Sequence, residues 1–171
     1  MHGEWGIMRR IWVMLTALPL LLAGCIDLGT PATNYGAIGG LSSQFEEVVE
    51  RPEHAQFFAI EAASARVSDV IAVRYDATRY NKILYNPDQR TSQIMIYVDR
   101  DGAREARHIA HILARAYARQ RGCTNHGRAW VEAFMGIAGR FERTFPAEQW
   151  GGMSPTAYAV RRAERYRDQH C

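Results

Sequence analysis

Lysine is almost missing from this 171-residue chain: Lys82 stands alone, and every other base among the 21 is arginine. Such a bias follows from genome base composition as readily as from a need for bidentate anion binding, so by itself it assigns nothing. Net charge is also scarce, at +3, which argues against a dedicated nucleic-acid binder with a strongly basic face. No G-x-S-x-G elbow, Walker loop or dinucleotide fingerprint occurs, and no internal repeat. The pairs Gly39-Gly40 and Gly151-Gly152 read as loop flexibility, not phosphate cradles. The apolar run Ile11 to Gly24 is interrupted by Pro19 and falls short of the roughly 20 residues that span a bilayer. What remains is 47% apolar residues, enough for a folded core and too many for wholesale disorder.

That short apolar run has a context. Met8-Arg9-Arg10 precedes it and Leu22-Ala23-Gly24-Cys25 closes it, the order of a bacterial export signal. Leu-Ala-Gly-Cys resembles the lipobox of bacterial lipoproteins. The resemblance implies cleavage before Cys25 and acylation of its thiol and new amino group. Ile26 stands where the resemblance implies that aspartate would favour inner-membrane retention. The expected address is therefore the periplasmic face of the outer membrane, not the inner membrane. Loss of Arg9, Arg10 and Glu4 with the signal lowers the net charge from +3 to +2.

The expected organisation is a signal over 1–24, a flexible tether over 25–43 rich in Gly, Thr, Pro, Asn and Ser, and one globular domain over 44–171. Ser43 suits an N-cap and Pro52 a stop, which predicts a first helix over Gln44–Arg51. Residues 53–80 are ambiguous. Ile60, Ala63, Val67, Val70 and Ile71 fall at helical spacing and favour a helix, yet Val70 to Tyr75 is also an acceptable buried strand. Ile83-Leu84-Tyr85 and Ile94 to Val98 flank the turn Asn86-Pro87-Asp88 and predict a hairpin. Helices follow over Ala103–Gln120, ended by Gly122; over Arg128–Thr144, with Trp130, Phe134, Ile137, Ala138 and Phe141 inward; and from Ser154-Pro155 to about Asp168. The fold class is mainly α with a short β-hairpin, the alternative being α+β with a small antiparallel sheet.

Few residues suggest chemistry. Cys123 and Cys171 form an even pair in a chain bound for an oxidising compartment, and are expected to join as a disulfide. Glu105, His108 and His111 lie at i, i+3 and i+6 on one helix and could ligate zinc, though not in H-E-x-x-H spacing. His126, beside Cys123, could join them; His54 and His170 stand apart. Asp99 and Asp101 read as caps of the helix that follows. The aromatics Trp130, Trp150, Phe134, Phe141, Phe145 and Tyr158 read as core, with a ligand groove as the alternative. Arg161, Arg162, Arg165 and Arg167 read as a solvated face that could meet anionic headgroups or peptidoglycan carboxylates. Phe141 to Phe145 with Gly152 to Tyr158 is similar to the end of the second helix-turn-helix of AraC-type regulators. That resemblance implies a cytoplasmic DNA-binding domain, but the intervening stretch is longer, and Ala159 replaces the family's usual arginine.

The expected function is therefore a non-enzymatic envelope lipoprotein, a binding or assembly component held to the membrane through Cys25. Its expected partners are an envelope protein or peptidoglycan, with no nucleic acid, metal, cofactor or catalytic residue. The alternative is a metal-assisted periplasmic hydrolase using Glu105, His108 and His111. Cys25→Ser is expected to leave an unprocessed precursor that takes up no labelled fatty acid; labelling that persists in the mutant ends the lipoprotein reading.

Overall fold

A computed structural model describes residues 35–171 apart from 77, 125, 167, 168 and 170. The stretch read as an export signal, Cys25 and His170 lie outside the described residues. Helix α1 (Tyr35–Val48) is followed by a 3-10 turn (Pro52–His54) and α2 (Ala55–Ser64). Strands β1 (Val67–Val73), β2 (Lys82–Asn86) and β3 (Thr91–Tyr97) come next. Helices α3 (Ala106–Gln120), α4 (Arg128–Thr144) and α5 (Pro155–Ala163) complete the chain, with a last 3-10 turn at Glu164–Tyr166.

Helix α1 begins nine residues before the Gln44 start expected, inside the stretch read as tether. The reason is burial: Leu41, Phe45 and Val48 sit at helical spacing and are at most 5% exposed. Composition around Gly39-Gly40 hides this, because the apolar stripe is carried by few residues. The helix also closes a sheet edge. Gln44 accepts a hydrogen bond from the Val70 amide at 2.9 Å and donates to Asp69 at 2.7 Å, blunting the outer side of β1.

Residues 53–80 are not one helix. The alanine-rich part, Ala55–Ser64, is helical, but Arg66 adopts a left-handed φ of 52° and ends it. From Val67 the β-branched residues run as a strand. The carbonyl of Arg66 accepts the Ser92 amide, and Val67 to Val73 then pair with Ser92 to Tyr97 in parallel. β2 and β3 form the expected antiparallel hairpin, turned by Asn86, whose side chain accepts from the Asp88 and Gln89 amides. The sheet order is β1-β3-β2, so the sheet is mixed, and neither a lone hairpin nor a wholly antiparallel sheet.

The three C-terminal helices follow the expected pattern closely. α4 spans Arg128–Thr144 and buries Trp130, Phe134, Ile137, Ala138 and Phe141 to 1% exposure or less. α3 starts at Ala106, three residues later than expected, after turns through Tyr97–Glu105. Asp99 accepts from the Tyr75 amide at 2.7 Å, and the N-cap position of α3 belongs to Glu105, so the capping role expected of Asp99 is not found. At the other end Gly122 has φ +78°. There the Cys123 amide bonds to Ala118 and the Gly122 amide to Arg119, the paired bonds of a Schellman stop. Ser154 caps α5 by accepting from Ala157, with Pro155 at the first position.

Polar ties across the helices are few and placed deep. Glu61 of α2 is 4% exposed and takes two hydrogen bonds from Arg140 of α4, at 2.6 and 2.8 Å, plus one from Tyr117 of α3. The C-terminus is seated against α4. Cys171 is disulfide-bonded to Cys123, with Cα atoms 5.0 Å apart and a sequence separation of 48. A Cβ on Gly127 would come within 2.7 Å of the Cys171 Cα, so the residue before α4 has no room for a side chain. On the chain-entropy account a loop of this length is worth about 4 kcal/mol, less any native-state cost. The oxidised domain is expected to resist urea by about 2–4 kcal/mol more than the reduced one. A thiol count on denatured, unreduced protein checks the bond: two free thiols besides Cys25 in periplasmic material would refute it.

Candidate functional site

Helix α3 carries a polar stripe. His108, His111 and Arg115 recur at i, i+3 and i+7, which places them on one face. Across from them α5 presents Tyr158 and Arg162, one turn apart. The loop before α4 brings in His126, and Arg100, Tyr80 and Asn81 come from the loops around the sheet. These side chains, with Ile112, Phe134 and Arg107, enclose a cavity of about 350 Å³. Among the described residues it is lined by three histidines and four arginines and by no aspartate or glutamate.

The rings are held firmly. His111 Nε2 lies 2.9 Å from His126 Nε2, so one nitrogen donates and the other accepts. Trp130 packs beside both, each ring centroid 4.9 Å away, and Tyr166 stacks on His126 at 5.0 Å. His108 makes a close hydrogen bond from Nδ1 to the Gly102 carbonyl. Gly102 sits at φ +70°, and a Cβ there would lie 2.6 Å from the Glu105 carboxylate, so the turn requires glycine.

Two of the arginines are already engaged. Arg107 pairs with Glu105 at 2.6 Å, and Arg100 lies over the Tyr80 ring at 4.0 Å. Arg115 and Arg162, both half-buried, have no ion pair or hydrogen bond among the described residues. The result is a cavity with uncompensated positive charge. Burial, aided by the positive charges of His126, Arg115, Arg162 and His108, pushes the His111 imidazole down to about 3. His126 is lowered by burial and then by the same two arginines. Burial also lowers Arg115, and Arg119 adds to the effect.

No known protein family, curated protein or solved structure matches this chain. The site is therefore read from its chemistry.

The sequence-expected zinc set is not assembled. Glu105 faces Arg107, His108 is turned to Gly102, and His111 points at His126. Among the described residues no three His, Cys, Asp or Glu side chains converge as metal ligands. Cys123 lies in the disulfide and is not part of the cavity. Of the aromatics, Phe134 and Tyr158 line the cavity while Trp130, Trp150 and Phe141 are core. His54, also isolated in sequence, is a core residue: it is 3% exposed, wedged between Phe141 and Phe145.

Sequence reasoning missed the arginines of α3 and treated Arg162 as solvated surface. A usable signal was present: Arg115 continues the His108–His111 face, where a lone solvated arginine would be expected to alternate with acids.

The histidine pair makes stability depend on pH. Unfolded histidine takes a proton near its ordinary 6.5 and folded His111 only near 3, so between these values the unfolded chain binds more protons. Stability contributed by neutral His111 is therefore full above pH 6.5 and lost progressively as pH falls towards 3. His126 and His54, both lowered, act in the same direction. From pH 7 to pH 5 wild type is expected to lose about 1–2 kcal/mol more than His111→Gln, measured by urea unfolding at each pH. Equal losses would show that His111 protonates freely in the folded state.

Proposed function

We propose that this protein is a non-enzymatic binding component of the bacterial cell envelope, anchored by a lipid on Cys25 to the outer membrane. Its binding element is the cleft between α3, α4 and α5, and its ligand carries negative charge. The observation that carries this reading is a cavity lined, among the described residues, by four arginines and three histidines without one carboxylate. Like charges crowded at low dielectric cost free energy in the empty protein, and an anion removes that cost on binding. The cavity volume, about 350 Å³, falls in the range of small-ligand pockets. The aromatic and aliphatic walls formed by Phe134, Tyr158 and Ile112 suit an organic portion beside the charged group.

A binding role fits the groups better than a hydrolytic one. Among the described residues no carboxylate lines the cavity to serve as a base, and the buried histidine pair is hydrogen-bonded to itself. The acidic carbohydrates and peptides of peptidoglycan, anionic lipids and acidic segments of envelope proteins all offer the required charge.

Titration calorimetry with small anions against uncharged analogues of equal size tests the proposal. Anions are expected to bind and the uncharged analogues not to, and the affinity should fall as salt is raised. The double variant Arg115→Gln/Arg162→Gln should reduce anion affinity at least tenfold. Absence of anion binding, together with stoichiometric zinc lost in His108→Ala/His111→Ala, would replace this reading by the metal-assisted hydrolase.

A further inference from the structure

We propose that the anion held in the α3–α5 cleft is a phosphoryl group, the dianionic end of an organic phosphomonoester, bound between Arg115 and Arg162 beside the His111–His126 pair. The inference rests on the anion-binding reading above and specifies its ligand.

The first argument is charge. Of the arginines lining the cavity, Arg107 is neutralised by Glu105, at 2.6 Å, and Arg100 is occupied by the Tyr80 ring. Two guanidiniums, Arg115 and Arg162, are left with no partner among the described residues. Arg100 keeps its charge against the ring, so three guanidiniums of the cavity have no carboxylate partner among the described residues, and a dianion compensates more of that charge than a monoanion does.

The second argument is the shape of the donor set. Arg115 comes from α3 and Arg162 from α5, so the two guanidinium donors stand on different elements, with His126 of the loop before α4 beside them. Planar carboxylate is satisfied by one guanidinium fork in one plane. A phosphomonoester presents three terminal oxygens as strong acceptors and can meet two guanidiniums at once. Arginine is the residue type that matches its geometry bidentately.

The third argument is size. A free phosphate ion would fill only a small part of about 350 Å³. The remaining wall is formed by Ile112, Phe134 and Tyr158, which calls for carbon attached to the phosphate through an ester oxygen. Such a monoester could be a soluble phosphorylated compound or the headgroup of a phosphomonoester lipid; the chemistry recognised is the same.

The experiment is calorimetry on the full-length protein in mild non-ionic detergent. The probes are glycerol 3-phosphate, dihexanoyl phosphatidic acid below its micelle concentration, inorganic phosphate, succinate and acetate. Both monoesters are expected to bind at least tenfold more tightly than succinate, and more tightly than inorganic phosphate. The tighter of the two identifies the source as soluble or lipid. Arg115→Gln and Arg162→Gln should each weaken monoester binding tenfold or more, whereas Arg161→Gln, outside this cavity, should not. Both variants should melt no lower than wild type without ligand, since each relieves repulsion; this separates lost binding from lost folding. Succinate or acetate bound as tightly as the monoesters would overturn the phosphoryl assignment and leave the anion reading standing. No anion bound at all would remove both. Undiminished monoester affinity in the two arginine variants would place the phosphate elsewhere.

Discussion

The aromatic ridge of α4 is the constraint on which the rest of the fold depends. Trp130 and Phe134 stack at 4.9 Å, and Phe134 and Phe141 both reach Trp150. Phe141 stacks on Phe58 of α2, which meets Phe45 of α1. One line of rings thus runs through three helices and the loop after α4. Each fully buried ring of this kind contributes about 1.5–3 kcal/mol by leaving water, with additional gain from offset and edge packing. The same ridge also sets the site, because Trp130 is both core and the wall against which His111 and His126 rest. Core and cavity are two sides of one helix.

Against this apolar line the molecule sets two polar arrangements with opposite energetics. The Glu61–Arg140–Tyr117 group joins three helices, and its buried carboxylate has every partner it needs. Arg140 remains nearly half-exposed, so its guanidinium keeps much of its hydration while Glu61 gives up its own. That is a structural tie. The cavity has the reverse balance: arginines from α3 and α5 gather with no carboxylate among the described residues to answer them. A fold selected for stability alone would place acids among those arginines, as it does at Arg121, Arg128 and Glu132 on the surface. Uncompensated charge in a concave, partly dry place is a cost that a bound anion removes.

Much of the architecture was legible because its signals are local. Hydrophobic period, the Ser154-Pro155 start, the glycine stop at Gly122 and the Asn86 turn each depend on a few neighbouring residues. Thus α4 was bounded correctly and the β2–β3 hairpin was placed. Failures fell where local and distant preferences disagree. Val67–Val73 has helical spacing, but the free energy of pairing with β3 and packing under α1 outweighs it. In Tyr35–Ser43 the glycines suggested a tether, yet the burial of Leu41 and Phe45 holds a helix there. At the site, the histidines of α3 were seen, with zinc ligation carried as the alternative reading. Their true neighbours, His126 and Arg162, lie 15 and 51 residues further along the chain from His111.

The sequence by itself determined the export-signal pattern at the N-terminus, the helical periods, the turn chemistry and the two cysteines available to pair. All of these follow from short-range sterics, hydrogen bonding and hydropathy. Only the tertiary structure decided which charges meet. Arg115 and Arg162 are ordinary surface arginines when read along the chain. Packing α5 on α4 brings Arg162 to the same cavity as Arg115, half-buries both, leaves them no acid partner among the described residues and turns them on one histidine pair. Charge is written in the sequence, but its compensation is a property of the packed protein.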